Sequence, residues 1–168
     1  MKKTIYNLIA FAAASSLLML LFSGAAKADT NEDGTAAIST GDYAQADKIF
    51  RALAEKGDAS AQFNLGAMYN NGQGKAKDYP EAVKWYRLAA AQGHAGAQSS
   101  LGYMYYGGQG VAQDYVRAHM WFSLAAAKGS GIAQKLRGKI AGFLSPDQLA
   151  ESQRMATDCE NSNFKKCE

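Results

Sequence analysis

Complete phosphate loops, paired metal ligands and acyl-enzyme motifs are all missing from this sequence, and each gap closes off a class of function. The stretch NNGQGKAKDYP, residues 70 to 80, has Gly74 and Lys75 in Walker order, but Tyr69 and Ala76 stand where GxxxxGK[ST] needs a glycine and a hydroxyl. A dinucleotide fingerprint fails as well, because GQGKAK lacks the third glycine. The two histidines, His94 and His119, are 25 residues apart, not at the i, i+4 spacing that sets two ligands on one helical face. Both read as surface or interface side chains. One SxxK occurs, Ser162 to Lys165, but the SDN and KTG motifs that accompany it in serine acyl-enzymes are absent. Excess charge is missing too. Of 18 basic and 15 acidic residues, Lys2, Lys3 and Lys27 fall in the first 28 positions, which hold no acid, so the remainder balances at 15 and 15. That leaves none of the basic footprint a nucleic-acid binder needs.

The N-terminus, MKKTIYNLIAFAAASSLLMLLFSGAAKA, places Lys2 and Lys3 before an apolar run from about Leu8 to Phe22 and ends in Ala26-Lys27-Ala28. This is the three-part plan of a signal peptide cleaved after Ala28, and it predicts a periplasmic or secreted protein. The alternative is an uncleaved anchor, since the run approaches the roughly 18 residues that span a bilayer. The 140 residues that follow suffice for one domain with a sizeable core. The two cysteines, Cys159 and Cys167, bracket CENSNFKKC. An even count in an exported chain reads as a disulfide, and neither CxxC spacing nor nearby histidines support a redox or metal role.

What the chain has in abundance is itself. Residues 42 to 77 laid over 78 to 113 give 18 identities in 36 without a gap, and DYAQADKIF, DYPEAVKWY and DYVRAHMWF open three copies of one unit. A fixed period in this range marks a solenoid. The predicted units are 42 to 77, 78 to 113 and 114 to 144, with a C-terminal cap over 145 to 168. Residues 29 to 41 leave room for one short helix pairing with the helix after Asp42. The opening glycine-rich stretch recurs as YGGQGVAQDYV with Val111 in the place of Lys75. A lysine discarded by its own repeat does not grip a phosphate.

Each unit reads as two helices. Tyr79, Ala82, Tyr86 and Ala89 form one helical stripe, and Gly57, Gly93 and Gly129 sit where a left-handed C-cap is expected. Asp58 and Ser130 then suit the next N-cap, while His94 replaces such a residue. The recurrent Asp42, Asp78 and Asp114 read as N-caps, two of them resembling capping boxes with Gln45 and Glu81, rather than as a ladder of catalytic acids. Ser145, Pro146 and Gln148 predict the start of the capping helix. Trp85, Tyr86, Trp121 and Phe122 recur in register and read as core.

The segment AQFNLGAMYNNGQGKAKDYPEAVKWYRLAAAQG, answered by AQSSLGYMYYGGQGVAQDYVRAHMWFSLAAAKG, resembles the Sel-like repeat family, relatives of the tetratricopeptide repeats. The resemblance covers roughly residues 41 to 138. It implies an all-α, right-handed solenoid of antiparallel helix pairs, used to bind proteins or peptides, with exported members acting as adaptors or regulators. From the missing motifs, no cofactor and no catalytic residue are expected. The alternative the resemblance carries is a weak, β-lactamase-like or cell-wall-directed hydrolase, whose branch has a cysteine pair in each repeat, which this chain lacks.

Positions that agree between copies, such as Leu65 with Leu101 and Met68 with Met104, mark the packed face of one helix in each unit. Those that differ mark a free stripe: Phe63, Asn64, Ala67 and Asn70 in one copy, Ser99, Ser100, Tyr103 and Tyr106 in the next. Stacking the units should align these with Lys135, Leu136 and Lys139 on a concave binding side. Lys135, Arg137 and Lys139 read as a solvated face or as a patch for an acidic partner or an anionic glycan, and Tyr103 and Tyr106 are the expected anchors.

Overall fold

The computed structural model describes residues 29–165 and 167, so the signal-peptide reading of residues 1–28 lies outside the described part. The described chain is a succession of helices without a strand: α1 (Asn31–Ser39), α2 (Tyr43–Glu55), α3 (Ala59–Asn71), α4 (Tyr79–Ala90), α5 (Ala95–Gly107), α6 (Tyr115–Ala127), α7 (Gly131–Ala141) and α8 (Pro146–Asn161). Each packs on its neighbour in sequence up to α7, and α8 returns to pack on α6. The result is an all-α solenoid of helix pairs. None of the described helices is long and apolar enough to cross a membrane.

Side-chain oxygens start almost every helix, because the first N–H groups of a helix have no partner inside it. Asp42, Asp78 and Asp114 accept from the backbone N–H groups of Gln45, Glu81 and Arg117 at 2.9 to 3.0 Å. The reciprocal half of the capping boxes expected at Asp42 and Asp78 does not form; Glu81 instead accepts from Lys84 at 3.0 Å. Full boxes close α1, through Thr30 and Asp33, and α8, through Ser145 and Gln148. His94 also caps, its Nδ1 accepting from the N–H of Ala97 at 3.2 Å.

Pairing follows one device. In α3, a Cβ on Gly66 would lie 2.8 Å from the Tyr86 ring of α4, and in α5 one on Gly102 would lie 2.7 Å from the Phe122 ring of α6. Gly34 of α1 meets the Phe50 ring of α2 in the same way, at 2.5 Å. Each ring lies directly on a helix backbone, and all three rings are buried. The glycine–ring contact thus joins α1 to α2, α3 to α4 and α5 to α6, half a repeat out of phase with boundaries at 42, 78 and 114. The short helix expected before Gly41 is α1, and it completes the first pair.

Lys75 has a structural partner. Its ammonium pairs with Asp47 and lies 4.0 Å from the centre of the Tyr69 ring, whose hydroxyl accepts from Arg51 at 3.1 Å. One repeat on, Val83 and Val111 replace this charge pair, and both join one apolar cluster. In the next, His119 holds the same register; of the two expected places, surface or interface, it takes the interface, buried with Nδ1 2.8 Å from Ser152 Oγ of α8.

The C-terminal segment is tied down by a Cys159–Cys167 disulfide. Phe164 reaches Gly93 at the α4–α5 turn and takes the Lys128 ammonium over its ring at 5.3 Å. Ser162 Oγ donates to the Cys159 carbonyl, so the serine of the lone SxxK finishes a helix. Closing so short a loop stabilises by roughly 2 to 3 kcal/mol in the chain-entropy account. Urea unfolding with and without a reductant should show a loss of that order, and equal midpoints would contradict it.

The glycine device makes a sharper prediction. Gly102→Ala forces Phe122 out of place and should cost about 1 to 3 kcal/mol, as overpacking does. Gly138→Ala, in the same register but with nothing within 4 Å of its Cβ, should instead stabilise by roughly 0.5 to 1 kcal/mol through helix propensity. Opposite signs in thermal melts confirm it; equal losses would show that both helices are packed alike.

Candidate functional site

The stripe that differs between repeats runs along α3, α5 and α7, and the structure gathers part of it into two hollows. The first, of about 240 Å³, lies between α3 and α5 and is lined by Asn70, Ser100, Tyr103, Tyr86, Met104 and Gln109. The second, of about 350 Å³, lies between α5 and α7 and is lined by Tyr106, Leu136, Lys139, Ile140 and Phe143. Six of the eleven stripe residues read from the sequence thus border a cavity.

Tyr103 and Tyr106 stand between the two hollows on successive turns of α5. Tyr103 sets its edge against Phe122 at 5.3 Å and 89°, yet stays 44% exposed. Tyr106 lies 5.8 Å from Tyr115 and stays 41% exposed. Each ring rests on the neighbouring helix and keeps much of its surface in solvent. Phe143, which follows α7 and is 60% exposed, stacks on Tyr115 at 5.4 Å and extends the aromatic row. Sequence reasoning missed Phe143 because the repeat register puts Asn71 and Gly107 in its place, so comparison of copies gives no aromatic there. The signal was a lone phenylalanine between Gly142 and Leu144, outside any repeat stripe.

The other stripe residues have different surroundings. Phe63 stacks on His94 at 4.8 Å and lies 5.9 Å from Tyr86, filling the space between α3, α4 and the start of α5. Ser99 sits 3.5 Å from the capping hydroxyl of Ser130. Asn64 and Ala67 are half-buried on α3, and Lys135 is exposed on α7 outside both hollows. At the rim of the first hollow, burial pushes the Tyr86 hydroxyl up to about 12, with a hydrogen bond to Ser100 acting the other way. Tyr86 therefore offers a neutral hydroxyl at every physiological pH.

Both histidines are held below their ordinary value of 6.5, His94 by burial against the pull of Asp58, His119 by burial and then by the Arg137 cation. The unfolded chain therefore takes protons first as pH falls. The stability these groups contribute is complete above about pH 6.5 and is lost as pH drops through that value toward the folded pKa. Protonation would also remove the Nδ1 lone pair that caps α5. The melting temperature should fall between about pH 7.5 and about pH 5, with a smaller slope in His119→Asn. An unchanged slope would show that His119 charges freely in the fold.

The Sel1 repeat model matches residues 59–94 and 95–130, the α3–α4 and α5–α6 pairs in their packing phase. A solved Sel1 repeat protein from Oxalobacter formigenes is 33% identical over 64% of this chain and 96% of that one, with a TM-score of 0.55. This chain belongs to the Sel1 repeat family. The structure of c5321, a protective antigen of uropathogenic Escherichia coli strains with an SLR fold, matches 80% of this chain at 32% identity and a TM-score of 0.75. The chain spans only 30% of the length of c5321. No curated protein matches. Sel1 repeat proteins are generally helical-repeat proteins of protein interaction, on a scaffold that is typically non-catalytic. The disulfide is compatible with an oxidising compartment outside the cytoplasm.

Proposed function

We propose that this protein is an exported helical-repeat adaptor or regulator that binds a protein or peptide segment along the α3–α5–α7 side, without catalysis. The observation that carries the reading is the aromatic row of Tyr103, Tyr106 and Phe143, left half in solvent beside two hollows. Tyrosines so placed give large contact area at low entropic cost. Lys139 in the second hollow, with Lys135 nearby on α7, favours an acidic or carboxylate-bearing segment. Export rests on the three-part N-terminus and accords with the disulfide. Against the hydrolase alternative, Ser162 is engaged at a helix end, and Ser152, the serine beside His119, is fully buried.

The test is capture by crosslinking from the native envelope with the wild-type protein and with Tyr103→Ala/Tyr106→Ala. The double variant should keep its helical circular dichroism, lose a few degrees of melting temperature through the contacts to Phe122 and Tyr115, and lose the captured partner. Capture at wild-type level would move the binding surface elsewhere. Collapse of the fold would make these rings part of the core.

A further inference from the structure

Gly138 repeats the pairing glycine without a ring on it. It stands 36 residues after Gly102 and 72 after Gly66, so α7 is the next helix of the same kind. The rings of Phe50, Tyr86 and Phe122 cover the first three pairing glycines, but nothing lies within 4 Å of the position a Cβ on Gly138 would take. Helix α8 does not supply the missing ring. Counting 16 residues on, as from Gly34 to Phe50, gives Arg154; counting 20 on, as from Gly66 to Tyr86, gives Asp158; and the helix holds no aromatic residue. It packs on α6 instead, leaving a cleft of about 520 Å³ between α6, α7 and α8, with Gly138, Ala141, Leu149 and Ala156 among its walls.

The cleft is neither wholly apolar nor electrically neutral. Arg137 lines it and makes no ion pair with any described residue, and none of the lining residues is a carboxylate. His119 and Gln153 supply further polar atoms beside it. A cavity of roughly 150 Å³ already holds a benzene ring, so this cleft has room for an aromatic side chain and the polar group that accompanies it.

We infer that this cleft is a second binding site, which takes an aromatic side chain from a helical segment of a partner protein against Gly138, with a carboxylate of the same segment on Arg137. The repeat itself is the template, since three times in this chain a helix docks by laying a ring on the matching glycine. Charge complementarity adds the carboxylate, because a cationic cleft without an internal acid favours an anionic partner. The site lies on the face of α7 defined by Arg137, Gly138 and Ala141, whereas Leu136, Lys139 and Phe143 face the second hollow. It is independent of the aromatic row, and either can fail without the other.

The test uses the full chain, isotopically labelled, titrated by NMR with an alanine-based helical peptide carrying one phenylalanine and, one turn before it, one glutamate. Saturable shifts should centre on the Gly138 amide and the His119 ring. Removing the phenylalanine from the peptide, or introducing Gly138→Leu in the protein, should each weaken binding by about tenfold or more. Gly138→Leu has open space for its side chain and should melt no lower than wild type, so a lost response would report the filled cleft. Arg137→Gln, or glutamine for glutamate in the peptide, should weaken binding several-fold. Binding undiminished in Gly138→Leu, or shifts centred on Tyr103 and Tyr106, would overturn the site. Equal affinity for the glutamine peptide would overturn its carboxylate half. Concentration-dependent shifts without peptide would assign the cleft to a second copy of this chain instead.

Discussion

The architecture depends on one contact, a ring laid on a helix backbone. Where a residue on the crossing line has no side chain, an aromatic ring of the next helix can lie on the bared turn and bury much apolar area against it. Gly34 with Phe50, Gly66 with Tyr86 and Gly102 with Phe122 do this in succession. The first couple spans 16 residues and the others 20, because the α1–α2 connection lacks the glycine-rich turn that joins the later pairs. Loop length varies while the contact is kept, which identifies the contact as the element the stack is built around.

Stacking is then a matter of what stands on the remaining faces. Asp47, Val83 and His119 share one register and meet Lys75, an apolar cluster containing Val111, and Ser152 respectively. An ion pair, an apolar cluster and a polar pair thus take up the side chain at this one register in turn. Matching matters because a buried polar group left without a partner costs more than a satisfied pair contributes. The array ends where this pattern breaks: α8 brings no ring, packs on α6, and is tied down by the disulfide with Phe164 on the α4–α5 turn.

The partly exposed aromatic row arises from the same rule. Residues of α3, α5 and α7 that pack are constrained and repeat; those that do not are free to differ, and that freedom produces the tyrosines of α5. Their exposure is partial because each leans on a ring of the following helix, Phe122 or Tyr115. Leaning leaves one side of each ring packed and the other in solvent.

Period, helix starts and disulfide were all legible in the order of residues, because they are local or periodic. An aspartate three residues before the N–H it caps, a glycine at the helix end and two cysteines in one short segment need no distant partner to be read. The repeat also marked buried positions such as Leu65 with Leu101 and Met68 with Met104, since identity between copies records a shared environment. What only the tertiary structure decided was which helices pair most closely, which of the unpacked residues border a hollow, and where the array stops. Phe63 and Tyr103 look alike by their spacing, yet one fills the space under His94 while the other sets only its edge on Phe122 and stays 44% exposed, because the neighbouring helices close over the first more fully than over the second. Gly138 reads in sequence as one more copy of Gly66 and Gly102. That its ring is missing follows from α8 packing on α6, a choice among distant surfaces that no local pattern encodes.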